Sequence, residues 1–143
     1  MSLTKGQLQI LTDFFLKQNQ IEAVYLFGSY ASGRAKKGSD VDLGILTKQK
    51  TYFDFLFDLS SKLSGLLNLE VEVQDLNRIS LPFAFRVVST GQILLGQNSS
   101  QRVVFETNLF NRYFDLKDFY QEFDQQLTYL AQQGVLDARP FAY

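Results

Sequence analysis

The sequence predicts an α/β (α+β) fold: a small mixed sheet of about four strands flanked by helices, with a long helix at the C-terminal end. Three observations predict it. Four short runs rich in β-branched and aromatic residues are spread through the first two thirds of the chain. Segments with helical apolar spacing separate them. The last third, from Gln101 to about Gln133, reads as one uninterrupted helix closed by Gly134.

The elements follow in order. Thr4 can cap a first helix running to about Asn19, with Leu8, Leu11, Phe15 and Leu16 near helical spacing. "IEAVYLF" (Ile21–Phe27) is a first strand, ended by Gly28-Ser29. "SYASGRA" can turn once as a helix before the Gly38-Ser39 loop. "DVDLGIL" (Asp40–Leu46) is a second strand, whose alternation places Asp40, Asp42 and Gly44 on one face. Thr51 to Leu67 carries a broad apolar helical face through Phe53, Leu56, Leu59, Leu63 and Leu67. "NLEVEVQDL" (Asn68–Leu76) alternates as a third strand. Pro82 opens a helix to about Thr90, Gly91 ends it, and "QILLG" (Gln92–Gly96) is a fourth strand. "QNSS" (Gln97–Ser100) is the strongest punctuation in the chain. It divides a core, 1–97, from a helical extension, 98–143, within one domain of 143 residues.

Composition narrows the chemistry. The net charge is −1, so no overall field favours nucleic acid or an anionic membrane, and direct nucleic-acid binding is not expected. The chain has no Cys, hence no disulfide, thiolate metal site or thiol nucleophile. It has no His, the commonest general base and zinc ligand. Catalysis would have to run on carboxylates, Lys, Arg, Ser, Thr or Tyr, or on a metal held by oxygen ligands, which points to Mg or Mn. No signal peptide or membrane span is legible, so a cytoplasmic protein is the default expectation. Aromatic residues make up 15% of the chain, with 14 Phe. They fit either a Phe-rich core or a partner surface.

The stretch "YLFGSYASGRAKKGSDVDLGIL" concentrates the functional signal. Asp40 and Asp42 lie two strand rises apart, roughly 6–7 Å. Carboxylates that close repel unless something compensates them, and a divalent cation does so. Glu72, with Glu70 beside it, could complete the cluster if the second and third strands are neighbours. Upstream, Gly28 permits close backbone approach, so amides and the Ser29 hydroxyl can meet phosphate oxygens; Arg34, Lys36 and Lys37 could add charge. Taken singly, each feature has an ordinary explanation: a Gly-Ser turn, a solvated acidic edge, a basic loop. The combination in this order carries the weight.

That combination, "GSYASGRAKKGSDVDL", resembles the Gly-Ser, ten residues, Asp-x-Asp signature of the DNA polymerase beta-like nucleotidyltransferase superfamily. The short chain, with "VEVQDLN", "STGQILLG" and "FETNLFNRYFDLKDF", looks like a minimal nucleotidyltransferase (MNT), the antitoxin of a HEPN–MNT toxin–antitoxin pair. The resemblance covers roughly residues 20–120. It implies that 1–143 is a single nucleotidyltransferase domain, that Gly28 and Ser29 bind the ATP triphosphate, and that Asp40 and Asp42 hold Mg. Glu72 would be the third acid on the next strand. It further implies AMP transfer from ATP to a Tyr hydroxyl of a HEPN toxin partner. Two positions depart from the pattern. Glu72 stands where the family usually has Asp, which lengthens the arm by roughly 1.5 Å. Ser32 stands where members often carry Arg, a charge Arg34 could supply.

The long C-terminal helix places Phe119, Phe123, Leu127 and Leu130 on one stripe. This stripe is either core or a docking surface for a partner or a second copy. Two rival functions stay open: a catalytically weak antitoxin acting by contact alone, and a nucleotidyltransferase with a small-molecule acceptor.

Overall fold

The computed structural model describes residues 1–135. The order is α1 (Lys5–Leu16), β1 (Ile21–Phe27), α2 (Gly28–Ala31), β2 (Val41–Thr47), α3 (Phe53–Leu67), β3 (Val71–Asp75), α4 (Leu81–Thr90), β4 (Gln92–Leu95) and α5 (Ser100–Gln132). The strands form one sheet in the order β3-β2-β1-β4. β1 runs antiparallel to both its neighbours, and β2 pairs parallel with β3. The parallel pair needs a crossover, which α3 supplies.

Helices cover both faces. On one face Leu11 and Phe15 of α1 and Leu59 and Leu63 of α3 join Val24, Leu26, Leu43 and Ile45 in a continuous buried cluster. On the other, Ala23, Tyr25, Leu46 and Leu76 cluster with Val87 of α4, and Phe83 and Phe105 pack against them. Alternation along β1 therefore sends Val24 and Leu26 to one side and Ala23 and Tyr25 to the other. β2, covered on both faces, is buried from Leu43 to Thr47. A Cβ at Gly44 would come within 2.9 Å of Val87, so this glycine sets the approach of α4 to the sheet.

Local chemistry fixes the ends. Thr4 caps α1 in a capping box with Gln7, whose amide donates to Thr4 Oγ1 at 3.1 Å. The helix stops at Leu16 rather than near Asn19. α3 starts at Phe53, because Thr51 is drawn aside: its hydroxyl bonds the buried carboxylate of Asp75. Asn68 adopts a left-handed conformation, φ 53°, to end α3, so β3 begins at Val71 rather than Asn68. Ser80 caps α4, leaving Pro82 in the first turn, and Ser99 caps α5. On the side of β3 away from β2, the amides of Val71 and Val73 donate to Ser64 Oγ (2.9 Å) and Ser60 Oγ (3.1 Å) of α3.

α5 is anchored near its start. The Tyr25 hydroxyl donates to Glu106, which also accepts from Arg102 Nη1 at 2.7 Å; Arg102 Nε donates to the Gly96 carbonyl at 2.8 Å. Leu109 is buried, and Phe85 of α4 stacks on Tyr113 with ring centroids 3.7 Å apart. Further along, Phe119 and Tyr129 are more than 60% exposed, and Phe123 is exposed beside Phe119. The aromatic wealth thus divides between the core and an open helical face. Among the described residues, no helix is long and apolar enough to cross a membrane. The final residues, 136–143, including the end of the expected C-terminal extension, lie outside the described residues.

Candidate active site

The site is built where β1 ends and β2 begins. β1 terminates at Phe27, directly opposite Asp42 in the antiparallel register. The chain then turns through Gly28, with φ +71°, a conformation that strains any residue carrying a Cβ. Space makes the same demand: a Cβ here would overlap the Asp42 carboxylate, with Asp42 Cγ only 3.2 Å away. The turn and the carboxylate are therefore in direct apposition. Ser29 follows, half-buried, and its carbonyl accepts from the amides of Arg34 (2.9 Å) and Ala35 (3.1 Å), which folds the loop back over α2. The Arg34 side chain is exposed on that loop.

The parallel register of β2 and β3 brings Glu72 opposite Asp42. The expectation that the second and third strands are neighbours, with acids abreast, holds at the backbone. Asp40 is placed differently from the expected in-strand position: β2 starts at Val41, and Asp40 is an exposed residue just before it. The Val41 amide donates to the Glu70 carbonyl at 2.8 Å, which ties this entry to the start of β3.

The electrostatics are those of neighbouring carboxylates that repel one another. The Asp42 carboxyl is pushed up from 3.8 to about 6, first by burial and then by the charges of Glu72 and Asp40. The donor set is all carboxylate oxygen, which fits a hard divalent cation such as Mg or Mn, and Asp40 and Asp42 are the residues that would hold it. Among the described residues, however, no three acids stand together as a ready metal cage. Glu72, the third acid of that expectation, is instead engaged by its strand neighbour: Gln74 Nε2 donates to Glu72 Oε1 at 2.6 Å. Sequence reasoning did not single out Gln74. Its signal was present, since residues two apart on a strand share a face.

Comparison with known proteins places the chain in a family. The family described as Polymerase beta, Nucleotidyltransferase matches residues 9–100, which include the Gly28-Ser29 turn, both aspartates and Glu72. The chain is 31% identical over 77 residues to the protein adenylyltransferase MntA of Shewanella oneidensis; the match spans 54% of this chain and about half, 55%, of that relative. A chain from a toxin–antitoxin complex solved with AMP-PNP superposes with TM-score 0.73 at 24% identity, covering 87% of this chain and 99% of that one. A chain from a complex of tri-AMPylated S. oneidensis HEPN toxin with MNT antitoxin gives TM-score 0.67 at 22% identity, covering 85% and 98%. With that family match running through residues 9–100, most of the chain, the protein belongs to the polymerase beta nucleotidyltransferase family.

Proposed function

We propose that this protein is an Mg-dependent adenylyltransferase that moves AMP from ATP to a tyrosine hydroxyl of a HEPN-domain toxin in the cytoplasm, and so acts as its antitoxin. One observation carries the reading: Gly28 leaves no room for a side chain because the Asp42 carboxylate lies against it. A turn able to bind phosphate set close beside a carboxylate able to hold a cation is an arrangement suited to triphosphate recognition. The name of the S. oneidensis relative and the AMPylated toxin in the HEPN–MNT complex support the choice of chemistry and acceptor.

The residues divide the work. Gly28 admits the triphosphate to the backbone, Ser29 adds a hydroxyl, and Arg34 adds positive charge from the loop. A divalent cation held by Asp40 and Asp42 would neutralise phosphate charge and polarise the reacting phosphorus. Glu72 takes the proton of the acceptor hydroxyl, a task no histidine is present to perform. The freed oxygen bonds to the α-phosphorus as the bond to the pyrophosphate oxygen breaks, and pyrophosphate leaves on the Gly28-Ser29 side.

The test is to mix the protein with the product of the adjacent gene, ATP and Mg, and weigh that product. A gain of one or more AMP units on a tyrosine is the expected result. Toxin neutralised with no added mass would reject AMP transfer. The exposed aromatic stretch of α5 favours a second reading, an antitoxin acting by contact alone. That reading predicts that the variant carrying Asp40→Asn and Asp42→Asn protects cells as well as the unaltered protein.

A further inference from the structure

The proposed base, Glu72, is the longer of the two acids that could stand at its position. Its extra methylene adds a rotatable bond, and its side chain is exposed, so packing does not fix it. A group that takes a proton in the transition state loses much of its effect when misplaced by about 1 Å. A carboxylate with this task needs to be held, and among the described residues one side chain hydrogen-bonds it. Gln74 lies two residues along β3, on the same face, and is less exposed than Glu72. Its Nε2 donates to Glu72 Oε1 at 2.6 Å. The polarity of this bond is set by chemistry, because a carboxylate only accepts, so the amide nitrogen must face it. Opposite Gln74 in the register stands Gly44, without a side chain, and opposite Glu72 stands Asp42. No cross-strand side chain at Gly44 competes for Gln74.

We propose that Gln74 is a positioning residue for AMP transfer: its amide fixes Oε1 of Glu72 and leaves Oε2 as the oxygen that receives the acceptor's proton. This rests on the function proposed above. Gln74 acts on the reaction through Glu72. It restores to a glutamate the definition that a shorter aspartate has from its own stem. The departure at position 72 and the glutamine at 74 are on this view two halves of one arrangement.

Two measurements test it. The first needs no activity. In the free protein, the side-chain amide resonances of Gln74 should be displaced from those of a solvated glutamine and return toward them in Glu72→Ala. Resonances that do not respond to Glu72→Ala overturn the proposal. The second is kinetic, with the toxin as acceptor. Gln74→Ala should lower kcat about tenfold, with the KM for ATP within about twofold of its original value. In a Glu72→Asp background the same change should lower kcat by less than about twofold, because the shorter acid needs no such hold. An equal fall in both backgrounds, or a loss expressed in the KM for ATP, overturns the proposal. Unaltered protein that transfers no AMP rejects the proposed function itself, and the amide resonances then decide alone whether Gln74 holds Glu72.

Discussion

Two acidic groups lie over the same side of the sheet, and the chain treats them in opposite ways. Glu106 descends from α5 onto Tyr25 of β1, and every polar partner it needs is there: the Tyr25 hydroxyl, and Arg102 one turn back on its own helix at 2.7 Å. The partners feel it in return. Burial, then the contact with Glu106, drives the Tyr25 hydroxyl far above the usual phenol range, and the Glu106 contact raises Arg102. At Asp42 of β2, opposite the end of β1, the neighbouring charges that shift the carboxyl among the described residues are Glu72 and Asp40, and both repel it. One carboxylate is satisfied and holds a helix in place. The other is held in a state that favours uptake of positive charge. Such frustration is a common mark of functional positions in otherwise consistent folds.

The contrast can be broken most sharply at Asp42 itself. Asp42→Asn should lower AMP transfer by about a hundredfold or more, since it removes the proposed cation ligand, whose effect would be felt in the transition state. A loss of less than tenfold, measured by AMP incorporation with the toxin, would mean that the carboxylate is not part of the chemistry. Next in size, Glu106→Ala should destabilise the protein by about 2 kcal/mol in denaturant melts, because the Tyr25 hydroxyl loses its acceptor within the core. A change near zero would show that the anchor is replaceable by water.

The third effect is smaller and opposite in sign. The native Asp42 value of about 6 exceeds the unfolded value of 3.8, so the native state holds the proton more tightly. The stabilisation from that proton is therefore complete below about pH 4 and is lost as pH rises through about 6. Without divalent cations, Asp42→Asn should be more stable than the unaltered protein at pH 7 by on the order of 1 kcal/mol, after allowance for solvent screening at this half-buried group. The advantage should vanish near pH 4; melting curves in EDTA at both pH values measure it. Smallest of all, Phe119→Ser with Phe123→Ser should shift the stability of the free protein by less than about 0.5 kcal/mol, since both rings are exposed. If these rings face the toxin, the same pair should weaken its capture in a pull-down.

The sequence made much of this legible, for uneven reasons. β1 was legible to the residue, because a seven-residue run, apolar but for Glu22, ends at a Gly-Ser. α5 was legible to within a residue at each end, because Ser99 caps it and Gly134, φ +73°, follows it. Errors fell where a side chain competes with propensity. Thr51 has an ordinary place before a helix until its hydroxyl is claimed by Asp75, a partner 24 residues away. Asp40 continues the strand pattern on paper, but the ladder starts one residue later. The Asp-x-Asp spacing and the Gly-Ser turn were legible because backbone geometry requires them. Their apposition was not, because it depends on the antiparallel register that sets Phe27 against Asp42. The tie between Gln74 and Glu72, and the triad of Tyr25, Arg102 and Glu106, needed rotamers that no pattern states.

The serine hydroxyls of α3 that meet the Val71 and Val73 amides have a consequence of their own. β3 is the outermost strand on its side, and an outermost strand with open amides invites an extra strand from another chain. Here two of those donors are already occupied from within the molecule. The margin that carries Glu72 thereby offers fewer open donors for extension of the sheet, which works against fibrous self-association. A visiting protein that meets this margin finds serine hydroxyls already on two of its amides.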